Sequence, residues 1–341
     1  MKYFIQIGSR FLQAVPTLFG IIVVTFLLTR ALPGDPAAYF AGAAATPASI
    51  AEIRTKLGLD QPLPVQFLSY LRDLGNGNLG QSVTTGQPVV TELLRRIPAS
   101  LELTLFALLL SVAVAVPLGI LAAVRQDSWV DQLCRFVVTA GVSLPTFFTG
   151  LLLVYVLYFL LGIAPAPIGR LDMTFLTPPQ VTGFLVIDGL LAREWATAWA
   201  ALKQLLLPAV TLGLFTLAPI ARMTRASMLA ALGSEYLRTA RAAGLDGQTI
   251  LFVYAFRNAL LPIVTTLGMV FSFTLGANVL VEKVFAWPGI GSYAIEALVV
   301  SDYAAVQGFV LAMAVLFVTL NLAIDILYTL VDPRIGMEGR A

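Results

Sequence analysis

Six long apolar runs constrain this chain more than any other feature of its sequence. Each is long enough to cross a bilayer core, which takes roughly 20 apolar residues in a helix. The runs cover residues 11–32, 101–124, 137–161, 202–222, 259–281 and 308–330. Backbone polar groups in lipid must be bonded within the protein, and these runs lack the alternation of membrane-barrel strands. We therefore predict an all-α integral membrane protein with six transmembrane helices.

The composition supports a membrane protein and excludes several kinds of site. The chain is 58% hydrophobic and 12% charged, whereas about a quarter of the residues are charged in soluble domains. It has no histidine and one cysteine, Cys134, which excludes serine-histidine and cysteine-histidine catalysis, histidine metal sites and internal disulfides. A net charge of +2 leaves no footprint for nucleic acid. We expect no catalytic residue, no metal site and no nucleic-acid partner.

The lysines exclude a nucleotide-binding loop of the Walker type. That loop needs a lysine directly after a glycine, and none of the four lysines follows one: Lys2, Lys56, Lys203 and Lys283. The chain is therefore expected to bind no cofactor itself and to take no energy from ATP directly.

A charged segment between two apolar runs, Ser234 to Pro262, is the most informative part of the chain. Ser234 is suited to begin a short helix and Gly244 to end it. Because this helix carries Arg238 and Arg241, it should lie outside the bilayer. We expect it to offer its small residues, around Ala240, to a protein partner.

The distribution of arginines sets the predicted orientation. Six spans put both termini on one side. With that side cytoplasmic, eleven basic residues lie inside, on shorter segments, and ten lie outside on longer loops that weigh little in the positive-inside rule. We predict cytoplasmic N- and C-termini, the latter in a tail of residues 332–341, and a first helix (residues 1–32 with its preceding tail) that is not a cleaved signal peptide.

Residues 33–100 form the longest predicted external segment, and their pattern indicates helices rather than a loose loop. Thr46 and Pro47 can start a helix that Gly58 ends, and residues 63–74 repeat apolar positions at helical spacing. Residues 88–96 are predicted as an amphipathic helix at the membrane surface, with Pro98 as the bend into the next span. The segment is either a lid on the bundle or a docking or substrate-guiding domain.

Two further features are candidates for function. The external loop 282–304 contains a predicted tight turn with aromatic residues, which could be a gate or part of an aromatic belt; its gate candidates are Phe285, Trp287, Pro288 and Gly289. Asp325 lies inside the last span, where an acid is a functional suspect, although a structural hydrogen bond is the other interpretation. Prolines within the spans predict kinks that permit bending: Pro16, Pro117, Pro145, Pro208 and Pro219.

Several motifs resemble, in order along the chain, those of ABC importer permeases of the dipeptide, oligopeptide and nickel branch, as the first permease of the pair. The segment after Ser234 resembles their EAA loop, although Tyr236 follows Glu235 where two alanines are usual. The other matching motifs are Arg10, Pro16 to Leu18, Gly20, Arg30, Pro33 to Pro36, Leu57 to Asp60 with Pro62, Arg257 to Pro262, Phe285 to Gly291 and Asp332 to Arg334.

The resemblance implies a type I ABC importer (MetI-like) permease fold. In this fold a small external helical domain, residues 33–100, precedes a permease core over 101–331, and the cytoplasmic coupling segment is 226–258. It assigns contact with the ATPase to these coupling residues: Glu235, Tyr236, Arg238, Thr239, Ala240, Ala243, Gly244 and Leu245.

The resemblance also implies the partners and the cargo. The partners would be a second, homologous permease, two cytoplasmic ATPase subunits that bind ATP and Mg²⁺, an external substrate-binding protein and the lipid of a bacterial inner membrane. Di- and oligopeptides are the expected cargo, and nickel chelates, glutathione, opines or oligosaccharides are alternatives. An autonomous secondary transporter is the rival from another class, but it would need relay residues or inverted repeats that the sequence does not display.

Overall fold

The computed structural model describes residues 2–31, 37, 45–56 and 58–331; the side chains of 2–14, 29, 31 and 325–331 are not among those described. The regular elements of this part are helices, with one isolated bridge between Gln81 and Pro88. The helices are α1 (Lys2–Ala31), α2 (Pro47–Lys56), α3 (Leu63–Gly75), α4 (Val89–Val124), α5 (Trp129–Val142), α6 (Thr146–Leu153), α7 (Leu185–Leu191), α8 (Trp195–Leu232), α9 (Glu235–Ala242), α10 (Arg257–Val284), α11 (Ile290–Val299) and α12 (Tyr303–Val331). Wider π-helical turns follow α6 over Val154–Leu160 and precede α10 over Thr249–Phe256.

Four helical stretches in the described residues are long and apolar enough to cross a membrane: Val89–Val124, Trp195–Leu232, Thr249–Val284 and Tyr303–Ile324. A fifth is added if α5 and the α6 helix with its π turn count as one span bent by 96°. The protein is therefore all-helical and membrane-spanning, as expected, and the count of six remains a prediction.

Two predicted elements were wrong in their boundaries, and both errors involve proline. The separate surface helix over 88–96 does not exist, because α4 continues through Pro98 to Val124. The span over 137–161 is instead two helices that meet at Pro145, which begins α6. The residue before a proline is pushed away from helical geometry. Leu93 before Pro98 and Ala99 after it are both buried, and tertiary context often overrides local propensity.

Residues 1–98 and 289–319 form one compact unit. Within it, α3 packs on α1 through Phe26, whose ring lies 5.1 Å from that of Phe67 and 5.8 Å from that of Tyr70. A second apolar cluster joins the start of α4 to α11 and α12. Asp302, fully buried before α12, accepts hydrogen bonds from Ser82 and Thr84 and so fixes the turn that precedes α4. The helices predicted after Pro47 and over 63–74 are confirmed, and α11 was not predicted.

Residues 99–288 and the described residues from 320 to 331 form the second compact unit. Its centre is α8, 38 residues long, which packs against α4, α5, α6 and α10. Small residues let these helices approach closely. The connection between the π turn after α6 and α8 is ordered by Asp188, which is buried and accepts hydrogen bonds from Thr182 and Gly183. Burial raises the pKa of Asp188, but these hydrogen bonds outweigh it, so the pKa lies below its ordinary value.

Candidate functional site

The short helix α9 begins directly after α8, through a turn at Gly233 and Ser234. The N–H of Gly233 closes α8 on the carbonyl of Leu229, at 3.0 Å. Ser234 occupies the position before α9 with an extended backbone, as predicted for an N-cap. Its hydroxyl does not cap α9, however, because it donates back to the carbonyl of Ala231. Ser234 thus ties α9 to the end of α8.

One face of α9 is buried against the other helices of its unit. Leu237 is completely buried and Ala240 is 8% exposed. They pack in an apolar cluster, hereafter the α9 anchor, with residues from α4, α8, the second π turn and α10: Ala123, Met228, Ala231, Ile250, Ala255, Ala259 and Ile263. The expectation that the alanine face meets a partner is therefore wrong for Ala240. Ala240 comes three residues after Leu237, so the two side chains lie on the same, inner face of α9.

The other face of α9 is exposed and charged. The side chains of Glu235 and Arg238 are 83% and 70% exposed, and they form an ion pair at 2.9 Å. Tyr236 is 42% exposed, and Thr239 and Arg241 also face outward. An exposed pair of this kind contributes little to stability. The outward face is thus free to exchange its internal ion pair for contacts with another molecule.

Gly244 ends α9 in the manner expected for it. Its φ is +79°, in the left-handed region that glycine adopts without strain. Its N–H donates to the carbonyl of Arg241 and the next N–H, of Leu245, donates to that of Ala240. These two bonds define a Schellman motif. Ala243 and Leu245 flank the turn and are exposed.

Asp246 starts the next helix two residues after Gly244. Its carboxylate accepts a hydrogen bond from the N–H of Thr249 at 3.0 Å, which is the geometry of an N-cap. Hydrogen bonds from Thr249 lower the pKa of Asp246. The stop at Gly244 and the start at Asp246 thus define a turn of fixed shape under the α9 anchor.

The chain leaves this turn through π-helical geometry over Thr249–Phe256. Such turns are rare and are found often at functional sites. Ile250 and Ala255 from this stretch belong to the α9 anchor. Sequence reasoning missed the π geometry, since TILFVYAF carries no signal that separates it from an ordinary apolar helix.

Three of the four candidate gate residues, Phe285, Trp287 and Gly289, are buried, whereas Pro288 is exposed. Phe285 and Trp287 are 3% and 1% exposed and share an apolar cluster with residues of α4 and α8. The indole N–H of Trp287 donates to the carbonyl of Ala99 at 2.9 Å, and the N–H of Gly169 donates to the carbonyl of Phe285. Pro288 and Gly289 then lead into α11. Trp287 therefore belongs to neither an exposed aromatic belt nor a projecting plug.

Besides Asp188 and Asp302, two further buried acids were missed by the sequence analysis. Asp131 is fully buried near the start of α5. Its carboxylate accepts hydrogen bonds from Nε and Nη2 of Arg225, a residue of α8. Glu282, buried near the end of α10, accepts a hydrogen bond from Ser100 of α4 at 2.5 Å. The predicted span 259–281 ended one residue before Glu282, and Asp131 fell in the connection predicted between 124 and 137, so both acids were assigned to loops. For Glu282 the signal would have been an acid beside the end of a span.

Two further parts of the sequence prediction, Asp325 and the C-terminal tail, remain predictions. The side chain of Asp325 and the tail 332–341 lie outside the described residues. Within the described ranges, no cluster of three or more histidine, cysteine or acidic side chains could hold a metal ion.

Comparison with known proteins shows the family to which the chain belongs. Residues 115–337 match the family described as binding-protein-dependent transport system inner membrane component, and residues 1–104 match the N-terminal component of that family. The chain belongs to this permease family. It is therefore the membrane permease component of an ABC importer, as the sequence motifs indicated.

The permease is similar along its whole length to proteins named as dipeptide or di/tripeptide transport permeases. It is 43% identical to the probable D,D-dipeptide transport system permease of Escherichia coli strain K12, over 99% of both chains. It is 42% identical to the di/tripeptide transport system permease of Pseudomonas aeruginosa, over 96% of this chain and 98% of the relative. A dipeptide transport permease of Alkalihalophilus pseudofirmus is 39% identical over 96% and 97%.

Proposed function

We propose that this permease imports dipeptides and short oligopeptides. The observation that carries the proposal is similarity along the whole chain to several relatives named as dipeptide or di/tripeptide permeases. The match covers both the N-terminal part and the core of the chain. The similarity to these relatives therefore extends beyond the membrane-spanning core that the whole family shares. An autonomous secondary transporter is not favoured.

The permease would form half of a translocation pore. A homologous second permease completes the pore, an external substrate-binding protein delivers the peptide, and two cytoplasmic ATPase subunits bind ATP and Mg²⁺. The permease itself binds no cofactor and catalyses no reaction. The name of its family, which includes dependence on a binding protein, supports this division of labour.

The outward face of α9 is the proposed contact with the ATPase. Glu235, Tyr236, Arg238 and Thr239 would meet the ATPase directly, and Ala243, Gly244 and Leu245 would form the edge of the contact. Ala240 would act from the inner side, by holding the helix to the α9 anchor. This assignment is supported by the exposure of the first group and by the burial of Ala240.

The α9 anchor gives a physical route for the motion. Leu237 is completely buried among residues of α8 and α10, and burial of one such side chain contributes about 2 kcal/mol. Closely packed interiors transmit displacement rather than absorb it. When closure of the ATPases moves α9, α8 and α10 would move with it, and the pore would alternate between inward-open and outward-open. Reversing a 1:99 population takes about 5.5 kcal/mol of differential binding.

The full topology would comprise six spans with cytoplasmic termini in a bacterial inner membrane. α1 would be the first span: its 30 residues, at about 1.5 Å each, exceed the thickness of a bilayer core. The bent pair of α5 and α6 would count as the third. Residues 33–100 would lie outside, as an external domain, and residues 226–258 would lie in the cytoplasm.

The segment Phe285 to Gly289 would act at the external side of the pathway. Since Phe285 and Trp287 are buried, we propose that they control access by holding the connection between α10 and α11. The pathway would open only when the side chains of Phe285 and Trp287 move out of their apolar cluster.

Uptake by the reconstituted complex tests the proposal. Complexes with the binding protein are expected to accumulate a labelled dipeptide when ATP is supplied, and unlabelled di- and tripeptides should compete. Nickel chelates, glutathione, opines and oligosaccharides should not. Competition by one of these and not by peptides would replace the substrate assignment.

The same assay tests the coupling face. Glu235→Lys and Tyr236→Ala alter exposed side chains, so insertion should be normal while substrate-stimulated ATP hydrolysis falls at least about tenfold. Asp73→Lys changes an exposed acid near the end of α3; it is the matched control and should keep normal activity. Normal uptake by the Glu235 and Tyr236 variants would refute the coupling assignment.

A further inference from the structure

A cavity opens between three helices of the second unit, α4, α5 and α8. Its volume is about 310 Å³. One wall is apolar and comes from α4 and α5, with Leu118, Ala122 and Val138. The other wall is cationic and comes from Arg135 of α5 and from α8. A space lined in this way suits a molecule with an apolar chain and an anionic group.

The charges around the cavity do not cancel. Three arginines line it: Arg135, Arg222 and Arg225. Asp131 neutralises one charge, since it binds Arg225 through both oxygens and also pairs with Arg135 at 3.5 Å. Arg222 has no ion pair among the described residues. Asp127, in the loop before α5, also acts on the charge of Arg225. Three arginines against two aspartates leave one positive charge at the cavity wall.

The surroundings of the cavity are those of a helix at the lipid surface. Trp129, at the start of α5, is 73% exposed, and Phe136, two turns further on, is 70% exposed. Tryptophan at the end of a span marks the headgroup level, and exposed phenylalanine beyond it suits the acyl region. Arg135 directly precedes Phe136 along α5, and the cavity wall continues past Phe136 to Val138 and Thr139. An anionic headgroup with its chain beside the helix would therefore meet both walls.

We propose that this cavity binds an anionic phospholipid. Its phosphate lies against the guanidinium groups of Arg222 and Arg135, and one acyl chain lies along Leu118, Ala122 and Val138. Basic pockets between spans on the cytoplasmic side are known to take anionic headgroups. Arg222 precedes the end of α8 by ten residues, so the lipid would be held on the side of the membrane where α9 follows. The site is independent of the transported substrate.

Lipid retention by the whole complex tests this site. The complex is placed in nanodiscs of equal parts phosphatidylglycerol and phosphatidylcholine, released into mild detergent and weighed by native mass spectrometry. The native complex should retain phosphatidylglycerol in preference to phosphatidylcholine. Arg222→Gln should lower that preference at least about tenfold, because it removes a charged hydrogen bond. Arg222→Lys should restore most of it, since lysine keeps the charge.

The matched control is Arg193→Gln, at the opposite end of α8, where an exposed arginine is lost without affecting the cavity. The complex with the Arg193 variant should keep the native preference for phosphatidylglycerol over phosphatidylcholine. Equal losses in the Arg222 and Arg193 variants, or equal retention of the two lipids by the native complex, would overturn the proposal.

A photoreactive amino acid in place of Thr139, an exposed residue of the cavity wall, identifies the occupant in the membrane. An adduct with the mass of phosphatidylglycerol is expected. An adduct with another subunit would instead assign the cavity to a protein interface. If inorganic phosphate alone protects Cys134, which also lines the cavity, from alkylation as well as phosphatidylglycerol does, the ligand is a free anion and not a lipid.

Discussion

Gly244 shows how much one residue contributes to the proposed coupling site. A Cβ at this position would meet nothing within 4 Å, yet the φ of +79° is one that side-chain-bearing residues rarely adopt. Any penalty of substitution therefore comes from backbone strain and not from a clash. Three residues later, Gly247 also has open space around it but has no positive φ. The two glycines form a matched pair.

Gly244→Ala is expected to cost about 1–2 kcal/mol, the penalty of a left-handed conformation, and to uncouple ATP hydrolysis from uptake by displacing the end of α9. Gly247→Ala should be neutral or slightly stabilising, since it removes freedom from the unfolded chain. The thermal unfolding midpoint and substrate-stimulated ATPase activity of the purified complexes would be compared. Equal behaviour of the two variants would show that the left-handed turn is not needed.

At this scale the sequence predicted some roles and not others. A glycine after a short charged helix points to a left-handed stop, because only local geometry is involved. The orientation of Ala240 was not predictable in the same way. In a helix of eight residues, the inner face depends on where Met228 and Ile263 lie, and those residues come from other helices.

The crossing of α4 and α8 shows what positions the helices of the second unit. At Gly119 a Cβ would lie 2.6 Å from Cβ of Thr224 and 2.8 Å from the carbonyl oxygen of Ala221. The obstacle is backbone, so it cannot yield by a side-chain rotation. Nearby, Ser111 of α4 donates to the carbonyl of Gly213 of α8. Close approach and a hydrogen bond together fix this helix pair.

Gly119→Ala should separate α4 from α8 and destabilise the permease by about 1–3 kcal/mol, the usual cost of overpacking. Gly276→Ala in α10 is the control, because a Cβ there meets nothing within 4 Å and alanine favours a helix over glycine by roughly 0.5–1 kcal/mol. The unfolding midpoint in detergent should fall for the first and hold or rise for the second. A Gly119 variant as stable as the native permease would contradict the close crossing.

Helix boundaries followed from the sequence less well than helix identity did. Apolar length identifies a span because it concerns only the segment itself. Whether a proline ends a helix or lies within one depends on the packing on either side of it. Pro98 lies within α4, whereas Pro145 separates α5 from α6. The two π turns likewise have no sequence signal, since a widened turn is maintained by contacts from neighbouring helices.

For the whole molecule the central question is which side of the membrane carries α9. Charge distribution predicts the cytoplasm for α9 and the outside for the loop that holds Met173, whose side chain is 94% exposed. Since Cys134 is the single cysteine of the chain, a cysteine-free background needs one change, to serine.

In that background, Met173→Cys and Arg241→Cys each introduce one exposed thiol. A membrane-impermeant maleimide should label the first in intact spheroplasts and the second only after permeabilisation, because arginine-rich segments stay in the cytoplasm. Labelling would be read by mass shift on a gel. The reverse pattern would invert the topology and exclude contact between α9 and a cytoplasmic ATPase.

The sequence by itself determined that this protein is an all-helical permease that spans the membrane and lacks a nucleotide loop, because apolar length, missing residue types and ordered motifs are properties of the chain alone. Its charged segment after Ser234 was marked as the place where a partner binds. Only the tertiary structure decided which face of α9 is outward, that Phe285 and Trp287 are buried, that Asp131 and Glu282 lie among helices, and that a cationic cavity opens beside Arg222. Each of these depends on residues far apart in the chain, and burial is set by which helices come together.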